Sequence, residues 1–374
     1  MLKYILLFIR KGKLMKNNHN LLMKMKNLEK FSGAIKRCVA IAMASMLFAT
    51  TGFSLDTHPV KAQEVSSSAD KIEIPEISKD AFKKYKKISG IGANTILGAD
   101  FTYYQQCLEW GKSYKNYMSQ SVDNIFDYVK SQGINTISLK VAVNPTGENA
   151  YLSLENAIKT LKAVKASNTN LKTNLVLLYS DEITYAGTQN LPADWEKAEK
   201  EEQSVTRVES AKTYTRETIA KLKQANVLPD IVTIGNEVNW NFLGITDGEG
   251  WEGWEAMGNI SALLKKAGVK NAVSIAAPSD ASSVKYIVQK LGYASVDYDY
   301  IGVNVYPDNN TNNYIKSLKK EVESCAPDKQ LIVSNVEYER VNEANTANVY
   351  TQADSIYNLL EATIDEKNGV HPVK

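Results

Sequence analysis

The chain has 374 residues, and its 44 basic and 42 acidic side chains leave a formal net charge of only +2. Its three histidines are His19, His58 and His371, too few and too near the termini for a Ser-His-Asp or Cys-His mechanism or for a His-rich zinc site. Beyond the first 62 residues only Cys107 and Cys325 remain, which excludes a Cys₄ metal site. Proton transfer in this chain must therefore fall to carboxylates, tyrosines or lysines.

The first 62 residues differ in composition from the rest of the chain. They carry eleven basic and two acidic residues, a formal charge of +9, so the remainder carries −7 and the overall charge is no evidence for nucleic-acid binding. A basic stretch, an apolar run at 39–53 and a small-residue site at Ala62 predict a secretory signal cleaved after Ala62. An uncleaved N-terminal anchor is the alternative. We expect a secreted protein without stable membrane insertion after cleavage.

Residues 63–87 are rich in Ser, Lys and Glu and predict a linker, and residues 88–374 predict one large domain. Seven runs of nearly continuous hydrophobicity alternate with amphipathic stretches, the pattern of parallel strands covered by helices on both faces. This alternation, without a Gly-rich phosphate loop, favours an α/β fold of the (β/α)₈ barrel type. The predicted strands are 95–100, 135–143, 174–180, 231–236, 272–276, 300–305 and 331–336, and the predicted helices are 122–131, 154–165, 208–225, 254–267, 283–291, 314–325 and 346–365.

Two of the predicted strands end in a glutamate. One runs from Pro229 to Asn236-Glu237, and the other from Gln330 to Glu337. In a parallel barrel the C-terminal strand ends meet at one face, where such folds carry their chemistry. Two carboxylates presented there are the minimum for hydrolysing a glycosidic bond.

An ordered set of motifs accompanies these glutamates between residues 88 and 337. The set resembles the arabinogalactan endo-β-1,4-galactanase family, glycoside hydrolase family 53, whose fold is a (β/α)₈ barrel. The matching segments are Leu97-Gly-Ala-Asp100, Leu178-Tyr-Ser-Asp181, residues 228–237, residues 297–307 and Val336-Glu337-Tyr338. The resemblance implies that residues 88–374 form the catalytic domain of a secreted, retaining endo-glycosidase acting on β-1,4-galactan.

Carried over residue by residue, the resemblance implies that Glu237 is the general acid/base and Glu337 the nucleophile. Asn236 would hydrogen-bond the sugar 2-hydroxyl, and Tyr306 would orient Glu337. The remaining predicted sugar-binding residues are Asp100, Tyr179, Asp181 and Trp240. The resemblance implies no cofactor and no metal, with a polysaccharide as substrate. We expect the protein to be a monomer.

The chain departs from the family pattern at several places. Its second strand reads Ser138-Leu-Lys-Val-Ala142 where the family has an arginine-rich segment, Leu178 replaces a histidine, and Val305-Tyr306 replaces a pair of tyrosines. Only 37 residues follow Glu337, so we expect a barrel incomplete at its C-terminus. Two alternatives stay open: a glycosidase acting on another β-linked polysaccharide such as mannan, and a non-catalytic or decayed carbohydrate-binding barrel. Export permits a Cys107–Cys325 disulfide, and two free thiols are the equal alternative.

Overall fold

The structure is a computed structural model of the chain. It describes residues 85, 88, 91, 95–116, 120–202, 206–246, 250–277, 280–306, 311–336 and 347–364. The boundaries predicted at residues 62 and 87 lie outside this part of the chain and stay predictions.

The described elements alternate between strands and helices along the chain. The strands are β1 Gly98–Asp100, β2 Thr136–Val141, β3 Lys172–Leu177, β4 Ile231–Ile234, β5 Asn241–Phe242, β6 Ile245–Thr246, β7 Lys270–Ala276, β8 Tyr300–Val305 and β9 Gln330–Val336. The α-helices are α1 Tyr104–Glu109, α2 Ile125–Ser131, α3 Leu154–Ala166, α4 Ala193–Glu201, α5 Arg207–Gln224, α6 Glu252–Ala267, α7 Val284–Tyr293, α8 Thr311–Cys325 and α9 Ala347–Ile364. Two short 3₁₀ helices cover Gly147–Leu152 and Ala281–Ser283.

Seven strands form one parallel sheet in the order β1-β2-β3-β4-β7-β8-β9, so every strand pairs with the next one along the chain. Helices connect most of them, which is the succession of a βα barrel and confirms the predicted fold class. All seven predicted strands are present in the described residues. The antiparallel pair β5–β6 is an insertion after β4 that the sequence did not predict.

Alternation along the strands separates the barrel interior from the helix layer. Val232 and Ile234 of β4 belong to the large core cluster that includes the helices. Ile231, between β3 and β7, packs instead with Ala272 and Tyr300 in a separate small cluster. Because successive strand side chains point to opposite faces, the second set faces the barrel interior. That parity decides which side chains reach the functional end.

Local sequence explains where several helices begin. Asn124, Ser153 and Thr206 each accept a hydrogen bond from a backbone N–H in the first turn of α2, α3 and α5. Such N-caps are each worth about 1 kcal/mol. Helix α6 ends at Gly268, whose φ of 83° is the left-handed conformation that glycine adopts at helix ends.

Cys107 and Cys325 are both free thiols. Of the two alternatives that the sequence left open, the structure has the unpaired one. None of the described helices has the length and apolarity needed to cross a membrane.

Candidate active site

Glu237 lies just beyond the end of β4, on a tightly wound segment. Its backbone φ is 58°, in the left-handed region, and Gly235 two residues earlier has a φ of 68°. The N–H of Gly235 still bonds the carbonyl of Leu177 on β3, so the segment leaves the sheet only after that residue. A left-handed residue other than glycine costs about 1–2 kcal/mol. The turn therefore holds Glu237 at the C-terminal end of the barrel at a cost that its contacts must offset.

Glu237 is 3% exposed, and its carboxyl group is held by three donors. Its Oε1 accepts from the Asn304 side-chain amide at 2.9 Å and from the Tyr306 hydroxyl at 3.3 Å. Its Oε2 accepts from the backbone N–H of Ala186 at 3.0 Å. Burial without partners would be costly for a carboxylate, so these bonds account for a buried acid at this position.

Asn236 is joined to the loop after β3. Its Nδ2 donates to the carbonyl of Thr184 at 2.6 Å, and its Oδ1 accepts from Asn304 Nδ2 at 3.0 Å. Its backbone carbonyl accepts from Gln189 Nε2 at 2.7 Å and from Thr184 Oγ1 at 3.1 Å. Two side-chain bonds use half of the bonding capacity of the Asn236 amide, which leaves capacity for a sugar hydroxyl.

An ion pair contacts the hairpin β5–β6 that follows Glu237 in the chain. Arg207, at the start of α5, donates from Nε and Nη2 to the carboxylate of Glu199, and from Nη1 to the carbonyl of Leu243 at 3.1 Å. Leu243 lies in the turn between β5 and β6 with a φ of 55°. The hydrogen bonds from Arg207 lower the pKa of Glu199. A planar donor that pairs in this two-pronged way is specific to arginine.

Asp100 stands at the end of β1 and forms an ion pair with Lys140 of β2. Its other oxygen accepts from the backbone N–H of Thr102 at 2.8 Å. Lys140 occupies the strand that is arginine-rich in the family pattern, and its charge is committed to Asp100. Nearby, burial raises the pKa of the Tyr103 hydroxyl, while Lys140 acts in the opposite direction. Asp100 therefore lies at the C-terminal end of β1, and its charge is paired with that of Lys140.

Asp181 joins two loops at the same end of the barrel. One oxygen accepts from the backbone N–H of Asn144 at 2.9 Å and the other from that of Ala193 at 3.0 Å. Asn144 in turn donates from its side chain to Asp194 at 3.0 Å. In the structure Asp181 thus positions the loops after β2 and β3, and contact of its carboxylate with a sugar stays a prediction.

Tyr179 lies away from the opening, contrary to its predicted sugar contact. Its side chain is 1% exposed, and its hydroxyl bonds the Thr215 hydroxyl of α5 at 2.9 Å. Edge-on ring contacts with Tyr214 and Phe242 complete its surroundings, and burial raises the pKa of its hydroxyl. Strand parity is the physical reason, because Leu175, Leu177 and Tyr179 alternate onto the helix side.

Trp240 is 38% exposed and belongs to an aromatic rim formed with Trp251 and Tyr286. The rings of Trp240 and Tyr286 are 5.6 Å apart, and Lys290 Nζ lies 5.0 Å from the Tyr286 ring and 5.5 Å from that of Trp251. The preceding residue, Asn239, pairs through its side-chain amide with both backbone groups of Ala276 at 2.8 Å. The rim is thus fixed to β7, three residues along the chain from Glu237.

Glu337, the predicted nucleophile, lies outside the described residues, and its role stays a prediction. Tyr306 donates a hydrogen bond to Glu237, and its predicted contact with Glu337 stays a prediction. Within the described part of the chain, no group of three or more His, Cys, Asp or Glu side chains could hold a metal ion.

Several residues of the site were not predicted. Asn304 contacts both Asn236 and Glu237, and Gln189 and Thr184 hold the Asn236 backbone. Asn304 carried a signal, because it is a polar residue at an inward position of the otherwise apolar strand β8. The loop contacts carried none, since they join residues about fifty positions apart.

The fold and site define a class: a parallel βα barrel with a buried, hydrogen-bonded glutamate at the C-terminal ends of its strands. The model of glycosyl hydrolase family 53 matches residues 96–369, well over half of the chain. The chain therefore belongs to glycosyl hydrolase family 53, as the motifs predicted.

Relatives and solved structures agree with this assignment. Arabinogalactan endo-beta-1,4-galactanase of Cellvibrio japonicus is 28% identical over 233 residues, 59% of either chain. The Thermothelomyces thermophilus protein of the same name is 28% identical over 63% of this chain and 70% of its own. The chain thus spans about three fifths of the length of the first relative. The Ignisphaera aggregans GH53 catalytic domain superposes with a TM-score of 0.64 at 20% identity, over 76% of this chain and 86% of that chain, which shows the fold.

Proposed function

We propose that this protein is an endo-acting glycosidase that hydrolyses β-1,4-galactan, the side-chain polymer of arabinogalactan and pectin. The observation that carries the proposal is the buried Glu237, held by donors at the C-terminal end of β4. Family membership supplies the reaction class. Galactan is proposed as the substrate because these two relatives are arabinogalactan endo-beta-1,4-galactanases by name.

The proposed mechanism is retaining and uses two carboxyl groups. The carboxylate of Glu337 attacks the anomeric carbon while Glu237 gives its proton to the glycosidic oxygen, so the leaving sugar departs as an alcohol. Glu237 then takes a proton from water, which attacks the same carbon and frees Glu337. Glu237 is supported by its described geometry, whereas the role of Glu337 rests on the sequence.

Substrate contact is proposed at three places around Glu237. Asn236 keeps unused amide capacity beside the acid, Asp100 lies at the barrel opening, and Trp240 presents an exposed ring on the rim. Aromatic rings of this kind pack against the apolar face of a sugar. Because Lys140 already neutralises Asp100, this part of the site suits a neutral sugar.

Release of new reducing ends from β-1,4-galactan tests the proposal. The parent, Glu237→Gln, Glu337→Gln and the exposed-surface control Glu361→Gln are assayed together, with mannan and β-glucan in parallel. We expect the parent and the control to cleave galactan and both active-site variants to lose about 10²–10⁴-fold or more. Cleavage of mannan alone would show that mannan, and not galactan, is the substrate. A folded parent that cleaves none of the three polysaccharides would contradict the proposed hydrolase activity.

We also propose that the protein is exported and works as a monomer. The support for export is the charge and apolar pattern of the first 62 residues. N-terminal sequencing of protein from the culture medium should begin at Gln63, and light scattering should give the mass of one chain. Retention in the membrane fraction would favour the anchor alternative.

A further inference from the structure

A hydrogen-bonded network inside the barrel joins β4, β7, β8 and β9, and Asn304 is at its centre. Asn304 Nδ2 donates to Asn236 Oδ1 at 3.0 Å and to Glu237 Oε1 at 2.9 Å. Asn304 Oδ1 accepts from Ser334 Oγ at 2.8 Å and from Ser274 Oγ at 3.2 Å. All four capacities of one buried amide are used in this way.

The direction of these bonds follows from groups that cannot be reversed. The carbonyl of Thr184 can only accept, so it fixes Asn236 with its nitrogen toward Thr184 and its oxygen toward Asn304. Asn304 must then present its nitrogen, which faces Glu237 as a donor. At the far side of the carboxyl group, the Ala186 N–H can only donate to Oε2. The network therefore has a single polarity, set by two backbone groups.

A β-bulge places the second support of Asn304. Val303 pairs with Val333 but Asn304 pairs with Asn335, so Ser334 is an extra residue in β9. Its hydroxyl points at Asn304. A side chain at Gly302 would come within 2.8 Å of Ser334 Cβ, so glycine leaves the space that the bulge needs. Bulges commonly redirect a side chain beside an active site.

We propose that Asn304 is a positioning residue for the acid/base Glu237, an inference that rests on the proposed glycosidase function. Asn304 and Tyr306 together occupy both lone pairs of Oε1, whereas Oε2 accepts one hydrogen bond from the described residues, that of the Ala186 N–H. The proton delivered to the glycosidic oxygen therefore resides on Oε2. Without Asn304 the carboxyl group of Glu237 can rotate, and its proton is no longer directed at the glycosidic oxygen. Geometric errors of about 1 Å at such a group cost ~100-fold in rate.

The leaving group of the substrate separates positioning of an acid from a general loss of structure. Dinitrophenolate departs without a proton, whereas phenol needs one. We therefore compare kcat/KM for 2,4-dinitrophenyl and phenyl β-1,4-galactobioside, which share the same sugar part. Asn304→Leu should lower kcat/KM about 100-fold for the phenyl glycoside and less than about 5-fold for the dinitrophenyl one, in keeping with the usual contribution of acid catalysis.

Two further variants complete the experiment. Ser334→Ala keeps the Asn304 donor but removes one group that orients it. We therefore expect kcat/KM to fall about 10-fold for the phenyl glycoside and by less for the dinitrophenyl one. If Asn304→Leu does not fold, Ser334→Ala tests the positioning role by itself. Asn271→Leu is the matched control, because Asn271 is an equally buried strand asparagine that bonds the carbonyls of Ser261 and Asp297. Its losses should be equal for the two glycosides.

Equal losses for both glycosides in Asn304→Leu and Ser334→Ala, or no loss in either, would overturn the positioning role while leaving the proposed function intact. A folded parent that cleaves neither glycoside nor galactan would overturn the proposed function itself, and the inference with it.

Discussion

A side chain at Gly235 would collide with Val238. A Cβ built on Gly235 would lie 2.3 Å from Val238 Cγ1 and 3.1 Å from the Phe242 ring, and the φ of Gly235 is +68°. The N–H of Val238 meanwhile bonds the carbonyl of Ser274 on β7 at 2.9 Å. The chain thus turns back on itself within four residues, with Glu237 inside the turn, and this close return requires glycine.

Gly235→Ala should destabilise the protein and impair the site together. A left-handed alanine costs about 1–2 kcal/mol and the overpacking about 1–3 kcal/mol, so we expect the free energy of unfolding to fall by roughly 2–5 kcal/mol. Denaturant unfolding measures the loss. Gly292→Ala is the control, because Gly292 lies in α7 with open space around it and should gain up to about 1 kcal/mol. Equal stability of both variants would contradict the turn as described.

Tyr179→Phe distinguishes a packing role from sugar binding. The change removes the hydroxyl that bonds Thr215 and keeps the ring contacts with Tyr214 and Phe242. We expect a loss of about 0.5–1.5 kcal/mol in the free energy of unfolding, with KM for galactan unchanged. A higher KM without loss of stability would restore the sugar contact that the sequence predicted.

The sequence predicted the sheet well because its signals are local. Each inner strand is a short β-branched or apolar run, and Asn236-Glu237 follows one of them at the barrel end where chemistry is expected. The hairpin β5–β6 was not predicted, since two strands of two residues carry no periodicity. Helix α4 was not predicted either, and none of its side chains is fully buried.

The two site residues that sequence reasoning placed least well are explained by strand parity. Tyr179 was assigned to the opening from its motif, although Leu175 and Leu177 before it alternate toward the helices. Asn304 was not among the predicted site residues, although the alternation of side chains along β8 places it inside the barrel, where it contacts Glu237. The bonds that make Asn304 informative depend on the backbone of Thr184 and Ala186, which only the folded chain brings near.

Trp240→Ala should weaken substrate binding more than it slows the chemical step. The exposed ring lies on the rim beside Tyr286, away from the hydrogen bonds of Glu237. We expect KM for galactan to rise about 5- to 30-fold, corresponding to ~1–2 kcal/mol of binding, with kcat changed less than about 3-fold. Tyr293→Ala is the control, since Tyr293 is highly exposed at the opposite end of α7. If both variants raise KM equally, the rim is not a sugar platform.

Loss of the Arg207–Glu199 pair should make the free energy of unfolding less dependent on pH in the acidic range. The hydrogen bonds from Arg207 hold the pKa of Glu199 below its ordinary 4.5. A carboxyl group whose pKa is lower in the folded state stabilises the fold at pH values above its unfolded pKa, and that contribution is lost as the pH falls through the folded pKa. Arg207→Gln should therefore reduce the free energy of unfolding by about 1–2 kcal/mol at pH 6, and by clearly less at pH 3. Unfolding curves at the two pH values measure the difference.

Lys200→Gln breaks the exposed pair with Glu196 and should change stability by less than about 0.5 kcal/mol at either pH. A constant difference between parent and Arg207→Gln would mean that Arg207 acts through the Leu243 carbonyl alone.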